Sequence, residues 1–217
     1  MSEAALFALL HLLVFAYWLG GDIGVFYSSF VLTDERRPAA GRLAAGQILN
    51  AVDLIPRLAL LMALPTGLAL AGARGWLDLG PAWLAAAFVA ALGWALLLRR
   101  LHHDPSSTSL RLVDLALRWA FLSALAVAGC AGLAGMVALP AFIAAKCLVL
   151  AFCVAMGLCV RATLAPFGPA FARLASGAPD ADSDRTVRRC LARARVFVVL
   201  IWIALVAAAW LGVAAPI

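Results

Sequence analysis

Long apolar runs separated by short polar breaks dominate the hydropathy pattern of this chain. Runs of about 20 apolar residues are long enough to cross the hydrocarbon core of a bilayer as α-helices. Six such runs predict an all-α transmembrane bundle with helices over residues 4–32, 43–71, 82–98, 110–137, 141–164 and 187–213. The longest predicted loop precedes the last helix, and its segment Gly168–Asp184 is expected to be polar and flexible.

The composition is typical of a membrane protein. Of the 217 residues, 66% are hydrophobic and 13% are charged, whereas a soluble domain is about half apolar and about a quarter charged. We therefore expect a single integral membrane domain over residues 1–217, with the lipid bilayer as its main partner. The N-terminal Met-Ser-Glu lacks the basic region of a signal peptide, so the first helix is expected to be retained.

Cations are distributed unequally between the loops. Loops one, three and five and their flanks carry nearly all the loop arginines, while loops two and four together hold only Arg74. The positive-inside rule then predicts that the odd loops are cytoplasmic and that both termini face the outer, periplasmic side of a bacterial inner membrane. The net charge of +6 is thus a signal of topology and does not indicate nucleic-acid binding.

Several ionisable residues interrupt the apolar runs themselves. A charge in hydrocarbon costs several kcal/mol unless it is paired or hydrated, so such residues mark a functional site by default. They are His11, Asp22, Asp53, Arg57, Asp114, Arg118 and Lys146.

The helical rise of about 1.5 Å per residue predicts that these groups form two layers. The outer layer contains His11 and Lys146. The inner layer contains one further carboxylate and two acid–base pairs spaced i, i+4, which are Asp22, Asp53–Arg57 and Asp114–Arg118. Pro56 lacks a backbone donor and predicts a local kink beside the first pair.

Two interpretations of each layer stay open. The inner pairs are either neutralised contacts that hold the bundle together, or their arginines bind a carboxylate such as a porphyrin propionate bidentately. In the outer layer, His11 either bonds to a neighbouring helix or, with Phe15 and Trp18 on the same face, serves as an axial ligand of heme iron. Lys146 has no acid in its own helix and either snorkels outward or marks a site.

Three motifs occur in a fixed order: His11-x6-Trp18-Leu-Gly20-Gly21, Arg57 followed by Pro65-Thr-Gly67-Leu68, and Lys146 followed by Arg161. Together they resemble the CopD-type membrane domain family. They also resemble the HemJ-like protoporphyrinogen oxidases, which look like relatives with a similar histidine helix and lysine helix.

This resemblance implies one of two chemistries. CopD-type proteins are associated with copper uptake or resistance, whereas HemJ-like proteins are heme-binding membrane enzymes that oxidise a porphyrinogen. By resemblance to the second group, His11 would be the heme ligand and Lys146 would be its partner at the porphyrin.

The residues themselves favour heme b over copper. Cu(I) prefers thiolate and thioether ligands, but the five cysteines are scattered and contain no C-x-x-C pair. A single membrane histidine suits a five-coordinate heme with a redox or porphyrin-related role; a second ligand would have to come from Lys146, a sulfur side chain or a subunit partner. A homo-oligomer or a membrane redox partner is compatible with this hypothesis. A copper permease and a cofactor-free accessory or transport subunit are the alternatives, and enzymatic activity stays an open question.

Overall fold

A computed structural model describes residues 2–104, 106–176 and 181–214, and this part of the chain is helical without any strand. Its helices are α1 (Glu3–Thr33), α2 (Ala39–Val52), α3 (Leu54–Ala73), α4 (Pro81–His103), α5 (Thr108–Leu133), α6 (Ala141–Thr163), α7 (Phe167–Ala175) and α8 (Ala181–Val213). The prediction of an all-α fold is therefore confirmed.

Six helical stretches within the described residues are long and apolar enough to cross a membrane. The pair α2 and α3 forms one of them, because only Asp53 separates the two helices. The short helix α7 lies outside these stretches, and each of the other five helices forms one span. The protein is thus a multi-pass membrane protein with the six spans that the hydropathy pattern predicts.

Consecutive spans pack side by side, and the last one returns to the first. Helix α1 packs against α3, α3 against α4, α4 against α5, α5 against α6, α6 against α8, and α8 against α1. Buried side chains from four of these helices meet in a central core that includes Trp18, Leu60, Val154 and Leu205. This arrangement brings the first and last spans together although they are far apart in sequence.

Small residues allow the tightest helix contacts. A Cβ atom added at Gly21 would lie 2.8 Å from Cδ of Pro56, so α1 and α3 approach as closely as their backbones permit. At Gly129, an added Cβ would lie 2.6 Å from Cγ of Leu148 on α6. Contacts of this kind are how membrane helices gain packing energy, since lipid removes the usual hydrophobic driving force between helices.

The second span is interrupted at Asp53, three residues before the proline that predicts a kink. Pro56 has no N–H, so the carbonyl of Val52 has no donor at the usual i+4 position. Helix α2 ends at that residue and α3 begins at Leu54. The interruption gives Asp53 a position between two helices instead of within one.

Several predicted helix ends are wrong by a turn or more. Helix α5 ends at Leu133 instead of residue 137, because Gly135 takes a positive φ of 70° that terminates the helix. Helix α4 continues to His103, where basic residues in the last turn interact favourably with the helix dipole. Helix α8 begins at Ala181 instead of residue 187, with acidic residues in its first turn.

The expectation of a polar, flexible segment before the last span is wrong over most of its length. Helix α7 occupies this region, and its apolar residues Phe167, Phe171 and Leu174 recur at helical spacing. They pack against a second core cluster that contains Leu32 and Val187. Residues 177–180 of the predicted loop lie outside the described residues.

Helix α7 therefore covers one end of the bundle. At this end α1, α4 and α6 finish while α2, α5 and α8 begin. Nearly all the loop arginines also lie at this end, which is called the basic end below. The opposite end, where both described termini lie, is called the outer end.

Candidate functional site

His11 is held in a defined orientation by the neighbouring span. Its Nδ1 lies 2.9 Å from Oγ1 of Thr66 on α3. The Thr66 hydroxyl donates its single hydrogen to the carbonyl of Met62 at 2.6 Å, the back-bonding that threonine makes in helices. The hydroxyl can then only accept from His11, so in the neutral imidazole Nδ1 carries the hydrogen and Nε2 keeps its lone pair.

Gly67 of α3 and Lys146 of α6 also interact with His11. Gly67 packs against the ring, and a Cβ there would lie 3.2 Å from Cε1 of His11. The Lys146 ammonium is close enough for an electrostatic interaction with His11. The Nζ atom of Lys146 packs over Gly212 of α8, and a Cβ added at Gly212 would lie 2.6 Å from this Nζ. No carboxylate in the described part of the chain pairs with Lys146, so a histidine and an uncompensated cation interact in this part of the bundle.

Trp18 lies deeper in the bundle than His11. It belongs to the central core and is only 5% exposed. Two helical turns separate it from His11, which corresponds to about 10 Å along the axis. The structure therefore places Trp18 in the packed core between the two layers.

Asp22 faces aromatic groups and a second acid. The indole groups of Trp18 and Trp202 approach its carboxylate, and it interacts electrostatically with Asp53. The Trp202 Nε1 is buried without a partner at hydrogen-bond geometry among the described residues. No cation in the same set of residues pairs with Asp22, in contrast to the two other acids of the inner layer.

Asp53 and Arg57 form an ion pair at the break between α2 and α3. The pair is partly exposed, and about half of the Arg57 side chain is accessible. Arg57 also lies close enough to Arg118 for an electrostatic repulsion between the two guanidinium groups. The two ion pairs of the inner layer therefore interact electrostatically.

Asp114 is the most enclosed acid of the inner layer. Its side chain is fully buried, and Oδ2 accepts a 3.0 Å hydrogen bond from Nε of Arg118 and another from Arg161 of α6. Its Oδ1 accepts a 2.9 Å bond from Nε1 of Trp94 on α4. The carboxylate therefore connects three spans, and both arginines predicted to hold propionates, Arg57 and Arg118, are engaged by acids.

Sequence reasoning missed four members of these networks. Thr66 belongs to one of the sequence motifs, but the sequence did not predict its contact with His11. The contacts of Trp94 and Arg161 with Asp114 could not be predicted from residue spacing, because Asp114 lies on another helix. Arg195 binds Ser29 through Nε at 2.8 Å, and its guanidinium lies 3.7 Å from the ring centre of Phe30. All four depend on contacts between different spans.

Other candidate metal ligands stay separate. Among the described residues, no three His, Cys, Asp or Glu side chains cluster closely enough to hold a metal ion. His102 and His103 lie in the last turn of α4, with their ring centres 5.8 Å apart. After them, hydrogen bonds from the Ser106 hydroxyl and N–H hold the pKa of Asp104 below its usual range.

Comparisons with protein-family models, with curated proteins and with solved structures find no match to this chain. Its fold defines its class: a six-span membrane protein with ionisable groups between the spans. The resemblance to CopD-type and HemJ-like proteins stays a prediction.

Proposed function

We propose that this protein binds heme b through Nε2 of His11 and has a redox or porphyrin-related role in a bacterial inner membrane. One observation carries the proposal, namely the hydrogen bond from Nδ1 of His11 to Thr66. A metal-ligating histidine almost always donates its other ring N–H to a neighbouring acceptor, which fixes the tautomer and the ring orientation. The Thr66 hydroxyl supplies that acceptor within the bundle.

Heme suits this site better than a bare metal ion. A porphyrin provides four of the iron ligands, so a single protein histidine is enough for a five-coordinate heme. A copper or zinc ion would need several protein ligands together, and no such cluster occurs among the described residues. The copper permease therefore has no such group of ligands in its favour among the described residues.

The chain's own residues have distinct roles in this proposal. His11 binds the iron, Thr66 positions the imidazole, and the uncompensated Lys146 attracts an anionic group of a porphyrin or its substrate. Arg57 and Arg118 would have to leave their acids to reach a propionate, so Lys146 is the better partner. When bound, heme would supply one-electron redox chemistry.

The cation distribution supports a cytoplasmic location for the basic end. By that rule, His11 and Lys146 lie in the half of the membrane that faces the periplasm. Their resemblance to the histidine and lysine helices of HemJ-like proteins points to the same pair of residues. We infer an oxidation or electron-transfer role from this pair, with a membrane redox partner or a second copy as the associated protein.

A visible absorption spectrum of the detergent-purified protein tests the proposal. We expect a Soret band and, after reduction with dithionite, sharpened α and β bands, with iron found by metal analysis of the same sample. His11→Ala should abolish these bands while the protein stays in the membrane fraction, whereas His103→Ala at the basic end should leave them unchanged. A colourless, iron-free protein would overturn the heme proposal, and stoichiometric copper would favour the permease.

A further inference from the structure

The arginines at the start of α8 fall into two groups that face different neighbours. Arg188 and Arg195 are seven residues apart and share a helix face. Both contact α1 or the turn after it: Arg188 pairs with Glu35, and Arg195 bonds to Ser29 and Thr33. These two arginines therefore hold α8 against α1.

Arg189 and Arg193 lie on a different face and are one helical turn apart. They line a cleft of about 390 Å³ between the end of α6 and the start of α8. The other lining residues are Ala162, Thr163, Pro166, Thr186 and Cys190. The volume is within the range of about 300–1,000 Å³ that is usual for small-molecule sites.

The charge of this cleft is not compensated by nearby acids. Asp184 is engaged by Arg42, Asp182 by Arg185 and Glu35 by Arg188. Within the described ranges, no carboxylate pairs with Arg189 or Arg193. The cleft therefore has two free guanidinium groups, each of which matches the geometry of a phosphate oxygen pair.

Two hydroxyl groups add neutral donors to the same cleft. Thr163 ends α6 and Thr186 lies one turn before Cys190 on α8, and both line the cleft. Their side chains form no hydrogen bond with another described residue. Two guanidinium groups with two hydroxyls are a typical set for binding a phosphate group, which accepts several hydrogen bonds at once.

The depth of the cleft indicates where such a phosphate would come from. An uninterrupted apolar run begins at Val196, three residues after Arg193. The cleft therefore lies at the edge of the hydrocarbon region, where lipid phosphates are found. We infer that Arg189 and Arg193, with Thr163 and Thr186, form a phosphate-binding site, separate from the heme proposal. An anionic phospholipid headgroup is the expected source, and a soluble phosphate compound is the alternative.

Binding experiments on the full-length protein test this inference. Phosphatidylglycerol binding is measured by native mass spectrometry, and inorganic pyrophosphate binding by calorimetry, both in the same detergent. The test variant is Arg189→Gln/Arg193→Gln. The control is Arg36→Gln/Arg111→Gln, which removes the same charge from exposed positions at the basic end. Size-exclusion profiles and helical circular dichroism should match for all three proteins.

We expect the wild type and the control to bind phosphatidylglycerol, and the test variant to bind it about a hundredfold more weakly. A charge-assisted hydrogen bond contributes roughly a factor of ten in affinity, and two are removed. If the wild type and the control bind pyrophosphate but not the lipid, and the test variant binds pyrophosphate more weakly, the result would support the site and assign it to a soluble phosphate. Equal losses in test and control variants, or no binding of either probe to the wild type, would overturn the inference.

Discussion

Oδ2 of Asp114 lies 3.0 Å from Nε of Arg118, one turn further along α5, and the Asp114 side chain is buried. Asp53 and Arg57 have the same spacing, yet about half of the Arg57 side chain is accessible. The same short pattern, Val-Asp-Leu-x-x-Arg, therefore lies in two environments. The difference arises because Trp94 and Arg161 come from other spans to enclose Asp114.

We predict that Asp114→Asn is much more destabilising than Asp53→Asn. Removal of one partner from a buried ion pair leaves an uncompensated charge and costs about 3–5 kcal/mol. Asp53 has Arg57 as its one partner among the described residues, and its substitution also removes an electrostatic repulsion with Asp22. The free energy of unfolding in mixed detergent, followed by circular dichroism, measures both changes. Similar losses for the two variants would contradict the structural role assigned to Asp114.

Thr66→Val should weaken heme binding while the fold is preserved. Valine has nearly the same shape but cannot accept the Nδ1–H of His11, so the ring loses the contact that fixes its orientation. Loss of such an outer partner typically lowers metal affinity about 10–100-fold.

The matched control for this variant is Thr163→Val at the basic end, far from His11. Heme content per protein and the rate of heme loss to an acceptor protein report the effect. Unchanged heme retention in Thr66→Val would show that this hydrogen bond does not position a ligand.

Gly21→Ala should separate α1 from α3, whereas Gly20→Ala should be tolerated. A Cβ at residue 21 would lie 2.8 Å from Cδ of Pro56 and 3.3 Å from Cβ of Ile55, but nothing lies within 4 Å of one at residue 20. Overpacking of this kind costs about 1–3 kcal/mol. Thermal unfolding of the two adjacent variants gives a direct comparison, and equal melting temperatures would contradict the close approach.

Phe171→Ala should detach α7 from the basic end without disturbing the spans. Phe171 stacks on Phe167 with ring centres 5.6 Å apart and packs over Gly46 of α2. Burial of a phenylalanine contributes at most about 3 kcal/mol, but a nine-residue helix has little other stability of its own.

Hydrogen exchange over residues 167–175 measures this release, and we expect faster exchange there than in the wild type. Pro169→Ala, on the exposed side of α7, is the control. Protection that is unchanged in Phe171→Ala would mean that other contacts hold the helix.

The sequence alone determines the membrane class and the six spans. Every span must satisfy its backbone hydrogen bonds internally, so about 20 apolar residues specify a helix wherever they occur. A kink near residue 53 was also predictable from the sequence, because the missing N–H of Pro56 is a local property of the chain. The helix ends were less accurate, since Gly135 and the polar turns at the basic end act through the local backbone conformation.

Helix α7 shows how a local signal can be present and yet be overlooked. Its phenylalanines have helical spacing, but the segment is short and surrounded by small and polar residues. A helix of that length is not stable by itself. It forms because Leu32 and Val187 on two other helices provide a surface to cover.

Only the tertiary structure decided which ionisable groups meet. The sequence places His11 and Lys146 at similar depths, but depth does not specify rotation about a helix axis or the order of helices in the bundle. The packing of α1 on α3 assigned Thr66 to His11, and the packing of α5 on α6 assigned Arg161 to Asp114. The two residues of each contact are separated by 55 and 47 positions in the sequence, respectively. Side chains that meet within one helix are only three or four residues apart, so a spacing rule cannot detect contacts between helices.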